Sequence, residues 1–249
     1  MNIQLALDRM SIQEAINMGR LAEPYIDWIE VGTSLIKEFG MASVEAIKRE
    51  FPHKTIVADV KTFDNAKYEF ELCYKAGADV TTVMGSAPLV TVDLCMKTAR
   101  TWGRQVMIDL LHTTPEEQAA LARYREAVHC VHVSKDQQEG GGSRLTGSGA
   151  YEATTDTDES GINRTSGIGA SDALPRGIVS DVSSVRGSTC ESPTGLRIAV
   201  AGGITQESLP WVLALEPEVL IVGSAITKAP DPASAARAFQ DRIRELGRR

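Results

Sequence analysis

Two carboxylates and a lysine are packed into Asp59-Val60-Lys61-Thr62-Phe63-Asp64, directly after the strand-like run Thr55-Ile56-Val57. Alternation along an extended strand end sends Asp59 and Lys61 to one face, so an acid and an ammonium point together where strand passes into loop. Parallel α/β folds keep their active sites at that position. Taken alone, such a match is more often a surface ion pair of little energetic worth. Its meaning depends on what else converges there.

Other polar residues stand at the ends of apolar runs. Asp8 follows the first, Glu30 lies in the second, Asp109 is in the fifth, and His132, Lys135 and Asp136 belong to the end of the sixth. The last two runs end in Ala201-Gly202-Gly203 and Gly223-Ser224. Glycine there lets backbone N–H groups approach an anion. Either glycine pair alone is more often a plain turn. Together with the acidic mouth, the pairs point to a sugar phosphate held at one end and reacting at the other. His132 by itself would read as a core histidine, and its neighbours change that reading. His129 and His112 have no such support and read as strand-edge or loop residues, and His53 as surface.

The elements that must position these residues follow a βαβ rhythm. Strands are predicted over Ile3 to Asp8, Ile26 to Val31, Thr55 to Asp59, Val80 to Met84, Gln105 to Leu110, Cys130 to Val133, Arg197 to Ala201 and Val219 to Val222. Helices are predicted over Ser11 to Ala22, Ala42 to Phe51, Ala66 to Ala76, Pro88 to Trp102, Pro115 to Ala127, Gln206 to Leu215 and Pro232 to Leu246. Eight such units in 249 residues favour a closed (β/α)₈ TIM barrel over an open doubly wound sheet. From Gly140 to Gly195 the sequence is instead rich in Ser, Thr, Gly and Asp. This predicts a long, largely disordered insertion after the sixth strand rather than a second domain, within a single barrel domain spanning residues 1–249. The sixth helix should fall inside it, with Ala173 to Val185 as the weak candidate.

The net charge of −7, without a basic run, leaves no electrostatic footprint for nucleic acid or an anionic membrane. Cys73, Cys95, Cys130 and Cys190 form no C-x-x-C spacing, and three of them lie in apolar patterns, so reduced core thiols and a cytoplasmic protein are expected. The chain enters a strand pattern at once, and no apolar run approaches transmembrane length, so a soluble, unexported protein is expected.

The segments Leu5-Ala6-Leu7-Asp8, Ile29-Glu30-Val31-Gly32-Thr33, Ala58 to Asp64, Ala76-Gly77-Ala78-Asp79, Val200 to Ile204 and Ile221 to Ile226 resemble the orotidine 5′-monophosphate decarboxylase superfamily. Within it the resemblance is to the 3-hexulose-6-phosphate synthases, with the 3-keto-L-gulonate-6-phosphate decarboxylases as near siblings. It runs from the first residue to about Gln138 and resumes at Leu196. The resemblance implies an aldehyde-lyase of formaldehyde assimilation in the ribulose monophosphate pathway. Such an enzyme joins formaldehyde to D-ribulose 5-phosphate, giving D-arabino-3-hexulose 6-phosphate through an enediolate. It also implies that Glu30 and Asp59 hold Mg²⁺, that Lys61 stabilises the anionic intermediate, and that Asp8 binds substrate. His132 is then the acid/base, Asp109 is a further catalytic residue at the mouth, and Gly202, Gly203, Gly223 and Ser224 form the phosphate corner. Asp64 would serve the neighbouring subunit's site in a homodimer.

Asp109, Ala201 and Ser224 stand where the decarboxylases typically carry Glu, Thr and Arg, and these departures lean towards the synthase. Lys135 is compatible with either. After Asp64 the chain reads Asn65-Ala66-Lys67, where both siblings usually place small residues. Decarboxylation of 3-keto-L-gulonate 6-phosphate is the first alternative. The second is a catalytically silent barrel whose insertion serves as an interaction or display loop.

Overall fold

The computed structural model describes residues 1–136 and 195–247 together with two strands of the polar span, β7 (Gly142–Leu145) and β8 (Tyr151–Ala153). Strands β1 (Asn2–Leu7), β2 (Trp28–Val31), β3 (Thr55–Thr62), β4 (Val80–Met84), β5 (Gln105–Asp109), β6 (Val128–His132), β9 (Arg197–Ala201) and β10 (Val219–Val222) close into a parallel barrel. Its order runs β1-β10-β9-β6-β5-β4-β3-β2. The helices are α1 (Ile12–Ala22), α2 (Thr33–Phe39), α3 (Met41–Glu50), α4 (Ala66–Lys75), α5 (Leu89–Trp102), α6 (Pro115–Leu121), α7 (Leu209–Leu213), α8 (Ser224–Thr227) and α9 (Pro232–Leu246). The expected (β/α)₈ barrel is therefore present, and the polar span lies between its sixth and seventh strands.

Alternation explains two layers of core. Inward residues such as Trp28, Val57, Val80, Met107, Val128 and Ile221 fill the barrel, while outward ones such as Leu5, Ile29, Ile56 and Ile108 meet helix residues including Ile47, Phe70 and Phe239. Burying each large side chain contributes roughly 1.5–3 kcal/mol. The helices start where local chemistry satisfies their first N–H groups. Ser11 with Glu14 and Thr114 with Glu117 form capping boxes, and Asp231 accepts from Ser234 N–H ahead of Pro232. At the barrel floor, Asp79 gathers Lys48 Nζ at 2.7 Å, Ile56 N–H at 2.9 Å and Arg104. That network ties the starts of β3, β4 and β5 to α3, at the end opposite the candidate site.

Several boundaries differ from expectation. Helix α2 was not foreseen, because only seven residues separate Gly32 from Gly40 and a single amphipathic turn pattern is hard to see at that length. Helix α6 ends at Leu121 rather than Ala127, and α7 covers Leu209–Leu213 rather than Gln206 to Leu215. In the first case the chain turns at Tyr124, whose carbonyl accepts from Ala127 N–H. In the second, the Thr205 and Ser208 side chains bond to nearby backbone groups and delay the helix. His129 is neither strand-edge nor loop. It is fully buried in β6, facing away from the barrel interior, with Nε2 3.1 Å from the Tyr124 carbonyl oxygen. Starting β6 at Val128 makes His129 one of its internal positions. Within the polar span, β7 and β8 pair antiparallel, although no strand was expected there. The candidate helix Ala173 to Val185 and Cys190 lie outside the described residues, and so does most of the stretch expected to be disordered. Cys73, Cys95 and Cys130 are buried free thiols, as expected. Among the described residues no helix is long and apolar enough to cross a membrane.

Candidate active site

Strand β3 is longer than its apolar run, ending at Thr62 rather than Asp59, so Lys61 lies within it. Opposite β4, Ala58 pairs with Thr81 and Thr62 with Val83, so four steps along β3 match two along β4. Side-chain parity survives this bulge. Val60 packs against the outer core and Thr62 Oγ1 donates to Glu69 on α4, while Asp59 and Lys61 meet each other. The expected shared face is therefore real, although the strand reaches it through an irregular segment in which Lys61 has φ 51°.

The Lys61 ammonium is held between two buried carboxylates. Its Nζ lies 3.0 and 2.9 Å from the two Asp59 oxygens and 3.0 Å from Asp109 Oδ2. Asp59 also accepts from the hydroxyls of Thr33 at 2.6 Å and Thr82 at 2.9 Å. Asp109 accepts from Leu111 N–H at 2.9 Å and lies 2.9 Å from His132 Nδ1. A carboxylate at that distance places the imidazole proton on Nδ1 and leaves Nε2 for proton exchange. Asp59, Lys61, Asp109 and His132 thus form one continuous relay, built from β3, β5 and β6.

Burial and charge compete at each member. Burial disfavours the Lys61 ammonium, but Asp59 and Asp109 outweigh it and raise the pKa above its ordinary value. Burial would likewise raise Asp109, yet the His132 hydrogen bond and charge, followed by Lys61, hold it well below the usual carboxylate range. For His132, burial lowers and Asp109 raises, with a net upward shift. Glu30 behaves differently. Burial and then the Asp59 charge push its carboxyl up to about 7, against the influence of Lys61, Gln4 and His132. Gln4 Nε2 donates to Glu30 Oε2 at 2.6 Å.

The chemistry of Glu30 and Asp59 fits a divalent cation. They are hard oxygen donors, and their unfavourable proximity is what a bound 2+ charge relieves. Among the described residues no group of three His, Cys, Asp or Glu side chains could hold a metal ion.

The remaining expected residues lie around this relay. Asp8 is exposed and accepts from Ser34 N–H at 2.9 Å and Ser34 Oγ at 3.3 Å, so it is directed to the first turn of α2. Asp64 is also exposed and accepts from Asn65 N–H at 2.7 Å, outside the relay. Asn65 has φ 57°, which explains its place here: asparagine is one of the few side chains that tolerate a left-handed position. Gly202 and Gly203, with φ 97° and 64°, follow β9, and Gly223 with Ser224 follows the neighbouring β10. Lys135 and Asp136 lie just beyond β6. Gln4, Thr33 and Thr82 were not anticipated. Gln4 and Thr82 are polar residues at inward strand positions, a signal visible once the strand parity is fixed.

Comparison with known proteins gives this arrangement its lineage. The orotidine 5′-phosphate decarboxylase / HUMPS family profile matches residues 1–239. The chain belongs to this family. Its relatives there include the 3-hexulose-6-phosphate synthase of Mycobacterium gastri, 30% identical over 248 residues, covering 98% of this chain and 100% of the relative. Among solved structures, a 3-hexulose-6-phosphate synthase from Salmonella typhimurium superimposes with a TM-score of 0.77 at 30% identity, covering 99% and 100% of the two chains. A second solved structure, KGPDC from Streptococcus mutans, gives 0.75 at 25% identity, covering 98% of each chain.

Proposed function

We propose that this chain is an Mg²⁺-dependent aldehyde-lyase that joins formaldehyde to D-ribulose 5-phosphate, giving D-arabino-3-hexulose 6-phosphate, and runs the reverse cleavage. The observation that carries this reading is the Asp59–Lys61–Asp109–His132 relay at the mouth of a barrel whose family includes the 3-hexulose-6-phosphate synthases.

In the condensation, a base takes the C1 proton of the ketose phosphate and the electron pair left behind is spread over an enediolate. Lys61 donates to its oxygens as a fixed ammonium. A Schiff-base role does not suit it, because Asp59 and Asp109 oppose the neutral amine that an imine requires. The C1 carbon then attacks formaldehyde, forming the new C–C bond as the C2 carbonyl re-forms, and the formaldehyde oxygen, which receives the electron pair of its broken C=O π bond, takes up a proton. His132 Nε2 exchanges protons with the reacting groups, while Asp109 fixes the ring through Nδ1. Glu30 and Asp59 would hold the cation, which when bound supplies Lewis-acid stabilisation of adjacent substrate oxygens. Gly202, Gly203, Gly223 and Ser224 offer backbone N–H groups for the substrate phosphate.

The decarboxylase reading uses the same relay and draws support from the likeness to KGPDC. The residues Asp109, Ala201 and Ser224 favour the synthase. A homodimer with shared sites completes the proposal. In its support, Phe63 and Leu89 line one cleft and are exposed, and Tyr68, Val90 and Leu94 on α4 and α5 are exposed as well. Exposed apolar side chains on these adjoining elements support association through that face.

One assay tests the reading. Purified protein is expected to consume formaldehyde with ribulose 5-phosphate and Mg²⁺, and to stop in EDTA. Glu30→Gln and Asp59→Asn are each expected to lower turnover by about 100-fold or more, because amides bind a hard cation poorly. Faster decarboxylation of 3-keto-L-gulonate 6-phosphate would transfer the assignment to the sibling activity. Turnover of neither substrate would favour the silent barrel.

A further inference from the structure

Between the pairs Ala58–Thr81 and Thr62–Val83, β3 places three residues, Asp59, Val60 and Lys61, against one residue of β4, Thr82. A parallel ladder cannot satisfy three residues with one. The Lys61 N–H donates to Thr82 Oγ1 at 2.9 Å instead. The same hydroxyl donates to Asp59 Oδ1 at 2.9 Å. Thr82 is 3% exposed, so water has little access to replace either bond. One hydroxyl therefore ties the backbone of the lysine to the carboxylate with which that lysine's own side chain pairs.

We propose that Thr82 is a positioning residue, whose hydroxyl holds the bulged segment so that the Lys61 ammonium stays between Asp59 and Asp109. The inference rests on the reading of Lys61 and Asp59 as active-site groups. Lysine at φ 51° is in the left-handed region that side chains rarely adopt, and such a conformation persists only where surrounding bonds fix it. Thr82 supplies a bond that belongs to that segment alone, since the regular ladder resumes at Thr62. A threonine serving only as core filler would be replaced well by valine, which has the same shape without the hydroxyl. Where threonine serves as the described link, its replacement by valine leaves the Lys61 N–H and Asp59 Oδ1 each without this partner.

The test compares Thr82→Val, Thr82→Ser and Thr82→Ala with wild type in the full chain. Steady-state condensation kinetics with Mg²⁺ are measured beside amide hydrogen exchange of Lys61 in ¹⁵N-lysine-labelled protein and thermal melting. Thr82→Val is expected to lower kcat about 10- to 100-fold with KM within about threefold, while Thr82→Ser stays within about threefold of wild type. Lys61 exchange is expected to rise about tenfold or more in Thr82→Val and to stay near wild type in Thr82→Ser. Wild-type kcat in Thr82→Val, or a loss in Thr82→Ser equal to that in Thr82→Val, would overturn the proposal. If Thr82→Val does not fold, Thr82→Ser against Thr82→Ala decides it, since these differ by the hydroxyl alone; equal kcat overturns it. If wild type has no turnover, the aldolase reading fails separately. Lys61 exchange then decides the link by itself, and an unchanged rate on loss of the hydroxyl overturns it.

Discussion

Four side chains from three strands set the electrostatics of the mouth, and the pair His132 and Asp109 makes them measurable. His132 titrates above its ordinary value of 6.5, so its contribution to folding stability is full below that pH and is lost as pH rises through the raised value. Asp109 titrates below 3.8, so its contribution is present above that pH and is lost as pH falls through the lowered value. The two overlap fully between about pH 4 and 6.5. Histidine NMR titration is expected to place His132 above 6.5, and Asp109→Asn to bring it down. The same variant is expected to cost about 3 kcal/mol in thermal or denaturant unfolding near pH 6, because removing one partner leaves buried charge uncompensated. The loss should be smaller above the raised His132 midpoint, where that ring is neutral. A His132 midpoint unaffected by Asp109→Asn would contradict the relay.

Among the elements, the ends of β9 and β10 are built under unequal constraint. Gly202 has φ 97°, and a Cβ there would lie 2.3 Å from the Val133 carbonyl oxygen and 2.9 Å from its nitrogen. Backbone atoms of the adjoining strand end cannot swing aside as a flexible side chain could. At Gly223, φ is −107° and the nearest atoms to a Cβ are 3.9 Å away. Gly202→Ala is therefore expected to destabilise the barrel by about 2 kcal/mol or more, and Gly223→Ala by less than about 1 kcal/mol. Parallel thermal melts check this. Equal shifts in the two variants would mean that the close approach at Gly202 is relieved without cost. The bulge in β3 is the converse case, in which an irregular segment is retained and fastened by side chains.

For the molecule as a whole, the barrel alone leaves Asp64 outside the relay and Phe63, Tyr68, Val90 and Leu94 exposed. Both observations are met if a second copy covers this face and receives Asp64 at its own mouth. Lys61→Ala and Asp64→Ala are each expected to be nearly inactive. Mixed under conditions that exchange subunits, they should recover up to about a quarter of wild-type turnover, since half the dimers are mixed and each has one intact site. Sedimentation of a fully active monomer, or a mixture no better than its parts, would remove the shared-site proposal.

Sequence periodicity by itself determined the eight-strand barrel, because strand parity and helix caps are local rules written in neighbouring residues. It identified Asp59, Lys61, Asp109 and His132 as polar groups at strand ends, since such residues are costly there unless they meet partners. Tertiary structure alone decided which groups meet. Lys61 is 48 positions from Asp109 and bonds to it only because β3 and β5 both face one barrel interior. The bulge was illegible because it arises from the register between β3 and β4, to which neither strand's own sequence refers. Thr82 and Gln4 looked like ordinary strand residues until their inward positions gave them Asp59 and Glu30 as partners. Asp8 and Asp64 show both cases: Asp64 bonds to the neighbouring Asn65 N–H, a local contact, whereas Asp8 meets Ser34, 26 positions away, only because the fold brings the first turn of α2 to the end of β1.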